Sequence, residues 1–310
     1  MTNQIELYNK VALETKKTIP LRVNLFAQEI ANKCKKPPIG IIFYGSQISK
    51  LDPDGLMDFY LILESLKDFQ QNKLLFLGNI FLPPNIYFMK HGNSRAKVAC
   101  MTLAQLQKRT QVKSLDTTIW ARFSQPVYLA WVRDERSEHL LNSQICNSIY
   151  TASLWSAALG KTCGKVDDYL RDLYTNTFKT EIRVESKDRI SSLIERNIKR
   201  YQEYLPIAWK DCSLPFEQKN DVFYPRIDSQ RNLFLRRWRI IRLWGKIQNA
   251  LRLLKAGMSF NGGADYIRWK VRRHTGISIK LSAYERKYPI IELIITVLKI
   301  VFSLIFKRSF

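Results

Sequence analysis

Short hydrophobic runs mark the first half of the chain. Three of them are rich in β-branched and aromatic residues, and each is bounded by turn-forming residues, which predicts buried strands. These runs cover residues 39–46, 55–64 and 126–132. Residues 85–103 hold two further runs around a Gly-Asn turn, which predicts a hairpin. Residues 18–35 contain a possible helix, and Thr102 is expected to cap a helix with the sequence LAQLQKRT.

The second half of the chain has helical spacing from about Cys146 onwards. Residues 186–205 carry apolar side chains three or four positions apart, which predicts one amphipathic helix. These side chains are Ile190, Leu193, Ile194, Ile198, Tyr201 and Leu205. Residues 211–230 are polar and interrupted by proline, so we expect a linker there. Residues 232–257 then predict a long basic helix that ends near Gly257, and residues 263–276 predict a second, shorter one.

Charge is concentrated towards the end of the chain. The 310 residues carry 50 Lys or Arg and 27 Asp or Glu, a net charge of +23, which favours anionic partners. From Arg231 to Phe310 there are 18 basic and 3 acidic residues, so this quarter of the chain supplies +15. The five cysteines are scattered and none forms a C-x-x-C motif, so we expect reduced thiols and neither a disulfide framework nor a zinc site.

The last segment of the sequence is apolar but carries a polar stripe. Between Ile290 and Phe306, 13 of 17 residues are apolar. A helix of this length spans about 25 Å, less than the hydrocarbon core of a bilayer. Its polar residues fall on one narrow face, as in a helix that lies in the membrane interface. They are Glu292, Thr296, Lys299 and Ser303. A buried core or oligomer helix is the alternative, and a transmembrane span is disfavoured because of the central charges.

A strand, a Gly-Ser turn and a second strand with one carboxylate suit nucleotidyl transfer. This reaction requires that a triphosphate is held, that its charge is neutralised and that an attacking oxygen is placed in line. Gly45 lets the backbone approach a phosphate, and the hydroxyl of Ser46 can donate to it. Asp58, on the next strand, can bind Mg²⁺. The motif alone is weak, because the same residues also form ordinary turns.

An ordered series of further motifs resembles the mitochondrial translocator-maintenance type of phosphatidate cytidylyltransferase, a CDP-diacylglycerol synthase family with bacterial relatives. FYGSQI and LMDFYLILE resemble its first two strands, and KVACMTLAQL is similar to its third strand and the helix that follows. IWARFSQPV, TEIRV and RNIKRYQEYLP resemble its later motifs. The resemblance covers roughly residues 36–207. It implies an α+β fold with the mixed sheet and helices of the nucleotidyltransferase superfamily (polymerase-β-like).

The residue pattern and the resemblance together predict a division of the chain into five parts. They are a nucleotidyltransferase core at 1–140, a helical domain completing the cleft at 141–210, a linker at 211–230, a basic helical segment at 231–288 and an amphipathic membrane-surface helix at 289–310.

The family's functional residues map onto positions of this chain. Gly45 and Ser46 would hold the triphosphate of CTP, and Asp58 would bind Mg²⁺ or Mn²⁺. Glu181 is the candidate for a second metal ligand. Three basic residues would bind phosphate, and two of them would also act in catalysis alongside Asp58. They are Lys97 and Arg122, which have both roles, and Arg183. The chain departs from the family at Ala121, where the family has glycine, and at Gln125, where it has lysine, which puts close backbone approach and one phosphate cation in doubt.

Two positions near Asp58 qualify this reading. Tyr60 stands where the superfamily has a second carboxylate. Glu64 shares a strand face with Asp58 but lies about 20 Å away on a straight strand, so we interpret it as structural. A lean carboxylate set would still suffice if the acceptor is phosphatidate, because its phosphate oxygen is already ionised and needs no base.

The implied activity is CMP transfer from CTP to phosphatidate, which gives CDP-diacylglycerol and pyrophosphate. The implied location is peripheral, on the cytoplasmic face of a membrane: the bacterial inner membrane, or the mitochondrial inner membrane in a eukaryote. An anionic phospholipid membrane is the expected partner, with nucleic acid less favoured. Two alternatives remain open, namely transfer to RNA or another soluble acceptor, and a membrane-associated relative that has lost catalysis.

Overall fold

The structure is a computed structural model that describes residues 4–48, 52, 55–69, 73–181 and 187–257. The strands in this part of the chain are β1 (Gly40–Tyr44), β2 (Met57–Leu63), β3 (Asn85–His91), β4 (Ser94–Thr102), β5 (Tyr128–Val132), β6 (Phe216–Lys219) and β7 (Val222–Pro225). The α-helices are α1 (Gln4–Thr15), α2 (Leu21–Asn32), α3 (Lys73–Phe81), α4 (Leu103–Thr110), α5 (Thr117–Phe123), α6 (Glu135–Leu159), α7 (Val166–Thr180), α8 (Lys187–Glu195), α9 (Ile198–Asp211) and α10 (Asp228–Gly257).

A five-stranded mixed sheet organises the first part of the chain. The strand order is β3-β4-β2-β1-β5, with β2 and β4 parallel and the other pairs antiparallel. The predicted strands are all present, and the predicted hairpin is β3–β4. Thr102 caps α4 as expected, since its hydroxyl accepts from the backbone N–H of Gln105 while the Gln105 side chain accepts in return. The prediction of an α+β fold with a mixed sheet is confirmed.

The sheet has two different faces because side chains alternate along each strand. One face, which includes Ile41, Phe43 and Phe59, packs with apolar side chains of α2. The opposite face includes Ile42 and Ile62 and packs with side chains of α1, α5 and α6. Asp58, Tyr60 and Ile62 alternate with the first set, so the candidate carboxylate and the tyrosine lie on the α5–α6 side.

The helical part has its own core of large aromatic side chains. Trp155 of α6 and Trp209 of α9 are fully buried within it, and the aromatic rings of α10 pack against Trp155. The indole Nε1 of Trp209 donates to the backbone oxygen of Ser153 at 2.8 Å, which joins α9 to α6. The buried face of helix α10 therefore packs against α6 and α7 and is part of the helical core.

Two predictions about this part differ from the structure. Residues 186–205 do not form one helix, because the chain leaves the helical conformation at Asn197, which has φ −122° and ψ 17°. The Asn197 amide donates to the Leu193 carbonyl and competes with the helical backbone. Residues 211–230 contain the hairpin β6–β7, where a linker was expected; Phe216 and Phe223 pack on the aromatic core, and Asn220, with φ 54°, makes the turn.

The predicted helix boundaries agree only in part with those in the structure. Helix α6 begins at Glu135, ahead of the predicted helical onset near Cys146, and runs across the predicted boundary at residue 140. Helix α10 covers the predicted long basic helix as far as Gly257, where the described residues end. The second basic helix and the segment 289–310 lie outside the described residues. Within the described ranges, no helix combines the length and the apolar character needed to cross a membrane.

Candidate functional site

A sharp turn at Gly45 begins the candidate site. Strand β1 ends at Tyr44, which lies opposite Asp58 on β2. Gly45 follows with φ +92°, a conformation that side chains disfavour. A Cβ atom at this position would also lie 3.0 Å from the Asp58 carboxylate oxygen Oδ2. The turn therefore requires glycine for two reasons, and it brings the backbone next to the carboxylate.

The loop that carries Ser46 is fixed by residues that sequence reasoning missed. Ser46 begins a 3-10 turn, Ser46–Ile48, in which Gln47 is buried. The Arg22 guanidinium of α2 donates to the side-chain oxygen of Gln47 at 3.1 Å and to the backbone oxygen of Asp52 at 2.7 Å. Gly55 leaves room for Gln47, since a Cβ there would overlap its amide. Nothing in the spacing of Arg22 and Gln47 signals this contact.

Asp58 and Lys97 are brought together by strand register. They are direct partners in the parallel pair β2–β4, and the Lys97 ammonium Nζ lies 3.8 Å from the Asp58 Oδ1 atom. Both side chains are partly exposed, so solvent and ligands have access to them. The sequence reasoning placed both residues on strands, and the structure brings the two functional groups onto one face of the sheet.

Tyr60 and Arg122 form a buried contact on the same face. Arg122, in the last turn of α5, donates from Nη1 to the Tyr60 hydroxyl at 3.2 Å. Its guanidinium carbon also lies 5.9 Å from the centre of the Tyr44 ring. Burial raises the pKa of both tyrosines, so their hydroxyls stay neutral at pH 7. Tyr60 therefore positions an arginine at the place where a second carboxylate was expected.

Glu181 supplies negative charge beside Arg122. It follows α7 directly, is buried, and interacts electrostatically with Arg122 and with Arg252 of α10. The expected neighbour of Glu181, Arg183, lies outside the described residues. The arginine of α10 had no counterpart among the predicted site residues; the basic character of its helix was the one signal pointing to it.

A second carboxylate, Asp116, anchors the arginines of this region. It caps α5 by accepting from the backbone N–H of Thr118 at 3.1 Å. Arg252 donates to both of its oxygens, and the Arg109 Nε atom lies 3.4 Å from Oδ2. Burial alone would raise the pKa of Asp116, but the charge and hydrogen bonds of Arg252, with Thr118 and Arg109, lower it to about 2. Asp116 therefore stays ionised and holds α5, which carries Arg122, against α10.

Lys255 adds a further buried cation to this cluster. Its ammonium donates to the backbone oxygens of Leu82 at 2.5 Å and Pro84 at 2.9 Å, just beyond the end of α3. Burial lowers the pKa of Lys255, and the nearby Arg252 and Arg109 lower it further, to about 7. The region around α5 thus carries an excess of positive charge.

Glu64 lies at the opposite end of β2 from the Gly45 turn. Its side chain is largely exposed and accepts from Arg133 at 3.1 Å. This placement agrees with the interpretation of Glu64 as a structural residue. Glu64 and Arg133 form an ordinary surface ion pair.

The arrangement can bind polyphosphate and one metal ion. Mg²⁺ is commonly held by one or two carboxylates, with phosphate oxygens and water completing its shell. Asp58 fits such a role, because its carboxylate is partly exposed and lies beside the Gly45–Ser46 turn. Among the described residues, no group of three or more His, Cys, Asp or Glu side chains is placed to hold a metal ion. A metal at Asp58 would have phosphate oxygens and water as further ligands.

A separate cleft of about 600 Å³ lies away from these residues. It is lined by α7, α8, α9 and the β6–β7 hairpin, with Lys165, Arg171 and Glu195 among its charged side chains. None of its lining residues comes from the sheet face that carries Asp58 and Lys97. The side chains that converge at Gly45, Asp58 and Lys97 therefore form the candidate site, apart from this cleft.

Comparison with known proteins gives limited information. No protein-family model matches the chain, and no curated protein matches it. Among solved structures, the chain is similar to a nucleotidyltransferase-like protein from Exiguobacterium sibiricum. The similarity covers 77% of this chain and 79% of that chain, with 12% sequence identity and a TM-score of 0.26. A likeness of this extent does not identify the function of this chain.

Proposed function

We propose that this protein is a nucleotidyltransferase that moves CMP from CTP to phosphatidate at a membrane surface, with release of pyrophosphate. The observation that carries the proposal is the convergence of Gly45, Asp58 and Lys97 at one end of the sheet face. A glycine turn, a carboxylate and a cation in direct contact are the parts that binding a metal–triphosphate requires. The choice of CTP and phosphatidate comes from the sequence resemblance.

Different residues of the chain would bind the triphosphate and the metal ion. The backbone at Gly45 and the hydroxyl of Ser46 would donate to the triphosphate, since the positive φ of Gly45 opens the turn to close approach. Lys97 would neutralise phosphate charge as a mobile point charge on the strand. Asp58 would hold Mg²⁺ or Mn²⁺, and when bound, the metal would polarise the α-phosphate and stabilise the charge of the leaving pyrophosphate.

Arg122 would act as a fixed positive charge beside the reaction. Tyr60 and Tyr44 constrain its guanidinium, and Glu181 balances part of its charge. A preorganised cation at this place would offset the repulsion between two anions, the nucleotide and the phosphatidate headgroup. Because the phosphatidate oxygen is already ionised at neutral pH, the site needs no general base. This explains how Tyr60 can replace a carboxylate in a working site.

The test is a transfer assay with purified protein, radiolabelled CTP, Mg²⁺ and phosphatidate in mixed micelles, run beside Asp58→Ala. Labelled CDP-diacylglycerol that disappears in the variant supports the proposal. Label transferred only to RNA would instead identify a soluble-acceptor enzyme. Nucleotide binding without any transfer would identify a relative that has lost catalysis, and either result would overturn the proposal.

A further inference from the structure

Helix α10 has an outer face that is unusual for a helix in water. Its buried side, which includes Trp238 and Ile241, packs on the helical core. Five large apolar side chains on the outer side of the helix are nevertheless exposed. At 3.6 residues per turn they fall within one stripe about 100° wide. They are Leu233, Ile240, Leu243, Trp244 and Leu251. Leu233 is 70% exposed and Ile240 is 59% exposed, so these side chains are not core residues.

Arginine side chains accompany this apolar stripe. Arg236 lies within it, and Arg239 lies about 40° beyond one edge at 3.6 residues per turn. Arg242 lies about 100° beyond that edge, towards the opposite side of the helix; all three arginines are exposed. Helix α10 has no acidic residue after Asp228 at its start, so no carboxylate of the helix itself balances these charges. The outer face therefore combines a continuous apolar strip with uncompensated positive charge.

We propose that this outer face of α10 docks on the surface of an anionic lipid bilayer. In such a position the stripe enters the boundary between headgroups and acyl chains, and the arginines reach lipid phosphates. Trp244 is the kind of side chain that is enriched at this boundary. The inference rests on the proposed function, whose acceptor is a lipid, and it assigns membrane contact to described residues outside the apolar segment 289–310.

The other possible occupants fit the face less well. A nucleic acid would use the arginines but would leave four exposed aliphatic side chains without a partner. A second copy of the chain, joined through the same face about a two-fold axis, would bring arginines against arginines. An anionic bilayer satisfies both the apolar strip and the charge.

The test uses full-length protein and vesicles of phosphatidylcholine with or without phosphatidylserine, in a flotation assay without nucleotide. Phosphatidylserine supplies negative charge without being the proposed substrate. The double variant Arg236→Gln, Arg239→Gln should partition onto anionic vesicles about twenty-fivefold more weakly, since each basic residue near such a surface gives about a fivefold gain. The double variant Ile240→Glu, Leu243→Glu should lose binding to both vesicle types. All substituted residues are exposed, so the fold should persist, and circular dichroism checks this.

Leu13→Glu is the matched control, because Leu13 is also an exposed apolar residue, at 74%, but lies on α1. This variant should bind as the wild type does. Wild-type partitioning by both α10 variants would overturn the inference. The inference would also be overturned if the α10 variants kept full vesicle binding but lost RNA binding. The same holds if they kept full vesicle binding but lost a dimer that the wild type forms in sedimentation.

Transfer to a short-chain phosphatidate below its micelle concentration separates this inference from the proposed function. Such a substrate needs no membrane docking. Wild-type transfer by the α10 variants, together with weakened flotation, supports both proposals. Wild-type flotation by the α10 variants overturns docking while the chemistry stands, and α10-dependent flotation without any transfer overturns the proposed function while docking stands.

Discussion

The Tyr60 hydroxyl accepts a hydrogen bond from the Arg122 guanidinium at 3.2 Å, across 62 positions of sequence. Tyr60 lies two residues beyond Asp58 on the same strand face, where the sequence resemblance leads us to expect a second carboxylate. The ring of Tyr60 is buried and packs 4.8 Å from Tyr44 and 4.9 Å from Phe123, measured between ring centres. Tyr60 thus holds Arg122 by a hydrogen bond and fills part of the apolar core with its ring. A carboxylate side chain at this position could not pack in the core in the same way.

Removal of this hydroxyl tests the role of Tyr60. Tyr60→Phe keeps the ring packing but frees Arg122, so we expect stability to fall by about 1–2 kcal/mol, as for a hydrogen bond to a charged group. The proposed transfer should fall roughly ten- to a hundredfold, because a positioning group displaced by about 1 Å has effects of this size. Urea unfolding and kcat/KM for transfer provide the two readouts.

Tyr169→Phe is the control for that comparison. It removes a buried tyrosine hydroxyl that donates to the Phe223 backbone oxygen at 3.0 Å, in the helical core away from Asp58. It should lower stability by a similar amount without changing transfer. Tyr60→Asp introduces the second carboxylate that the sequence resemblance leads us to expect. A strong increase of transfer to phosphatidate in this variant would contradict the idea that the site needs only one carboxylate.

The elements of the sheet were accessible from the sequence because each depends on local pattern. The apolar runs before Gly45 and around Asp58 predict β1 and β2, and Thr102 marks the start of α4. The break at Asn197 was missed because the apolar spacing continues through it. The contact of Arg252 with Asp116 joins positions 136 residues apart. No local spacing of residues encodes such a pair. The contacts among the charged residues around α5 could therefore be found only from the three-dimensional structure.

Asp58→Asn tests the proposed metal ligand. The substitution keeps the shape of the side chain but removes its charge, so Mg²⁺-dependent transfer should fall by about a thousandfold, since a bound metal supplies several kcal/mol of transition-state stabilisation. Folding stability should change by less than about 1 kcal/mol, because the contact with Lys97 is long and partly exposed. Glu64→Gln removes a carboxylate from the other end of β2 and should keep wild-type transfer; a loss in this variant would restore Glu64 as a candidate.

Deletion of residues 288–310 tests the apolar segment that the sequence predicts to be an interfacial helix. The shortened protein should float more weakly with anionic vesicles than the full chain, because each buried apolar side chain adds to membrane affinity. Unchanged vesicle binding would remove this segment as an anchor. Transfer to short-chain phosphatidate should persist, since none of the proposed site residues lies in the deleted part.

Asp116 should make stability depend on acid pH. Its pKa is about 2 in the folded protein and about 3.9 in an unfolded chain, so the unfolded state binds the proton first as the pH falls. The stabilisation is complete above about pH 4 and is lost as the pH falls towards 2, with about 1 kcal/mol lost between pH 5 and 3.

Asp116→Asn should remove this dependence and lower stability by about 3 kcal/mol, because the buried charges of Arg252 and Arg109 would lose the carboxylate that they share. Asp167→Asn is the control, since it breaks an exposed pair with Arg171 on α7. Urea midpoints at pH 5 and pH 3 measure both variants. An equal pH effect in wild type and Asp116→Asn would contradict the assignment.

Lys255 should have an effect of the same sign in a higher pH range. Its pKa is lowered to about 7 in the folded protein, against about 10.4 when unfolded, so between these values the unfolded state binds more protons and stability rises with pH. From pH 7 to 8 this gain is about 1 kcal/mol. Buried thiols act in the reverse sense at higher pH, since burial raises the pKa of Cys34 and Cys212 to about 11, and for this reason the wild type must be compared with a variant.

Lys255→Met provides that comparison, because it keeps a long apolar side chain and leaves the thiols unchanged. The difference in unfolding free energy between wild type and Lys255→Met should shift by about 1 kcal/mol in favour of the wild type between pH 7 and 8. Lys199→Met, at an exposed position on α9, should keep the wild-type pH dependence. A constant difference between wild type and Lys255→Met across this range would mean that Lys255 stays protonated in the fold, held by the carbonyls of Leu82 and Pro84 despite its arginine neighbours.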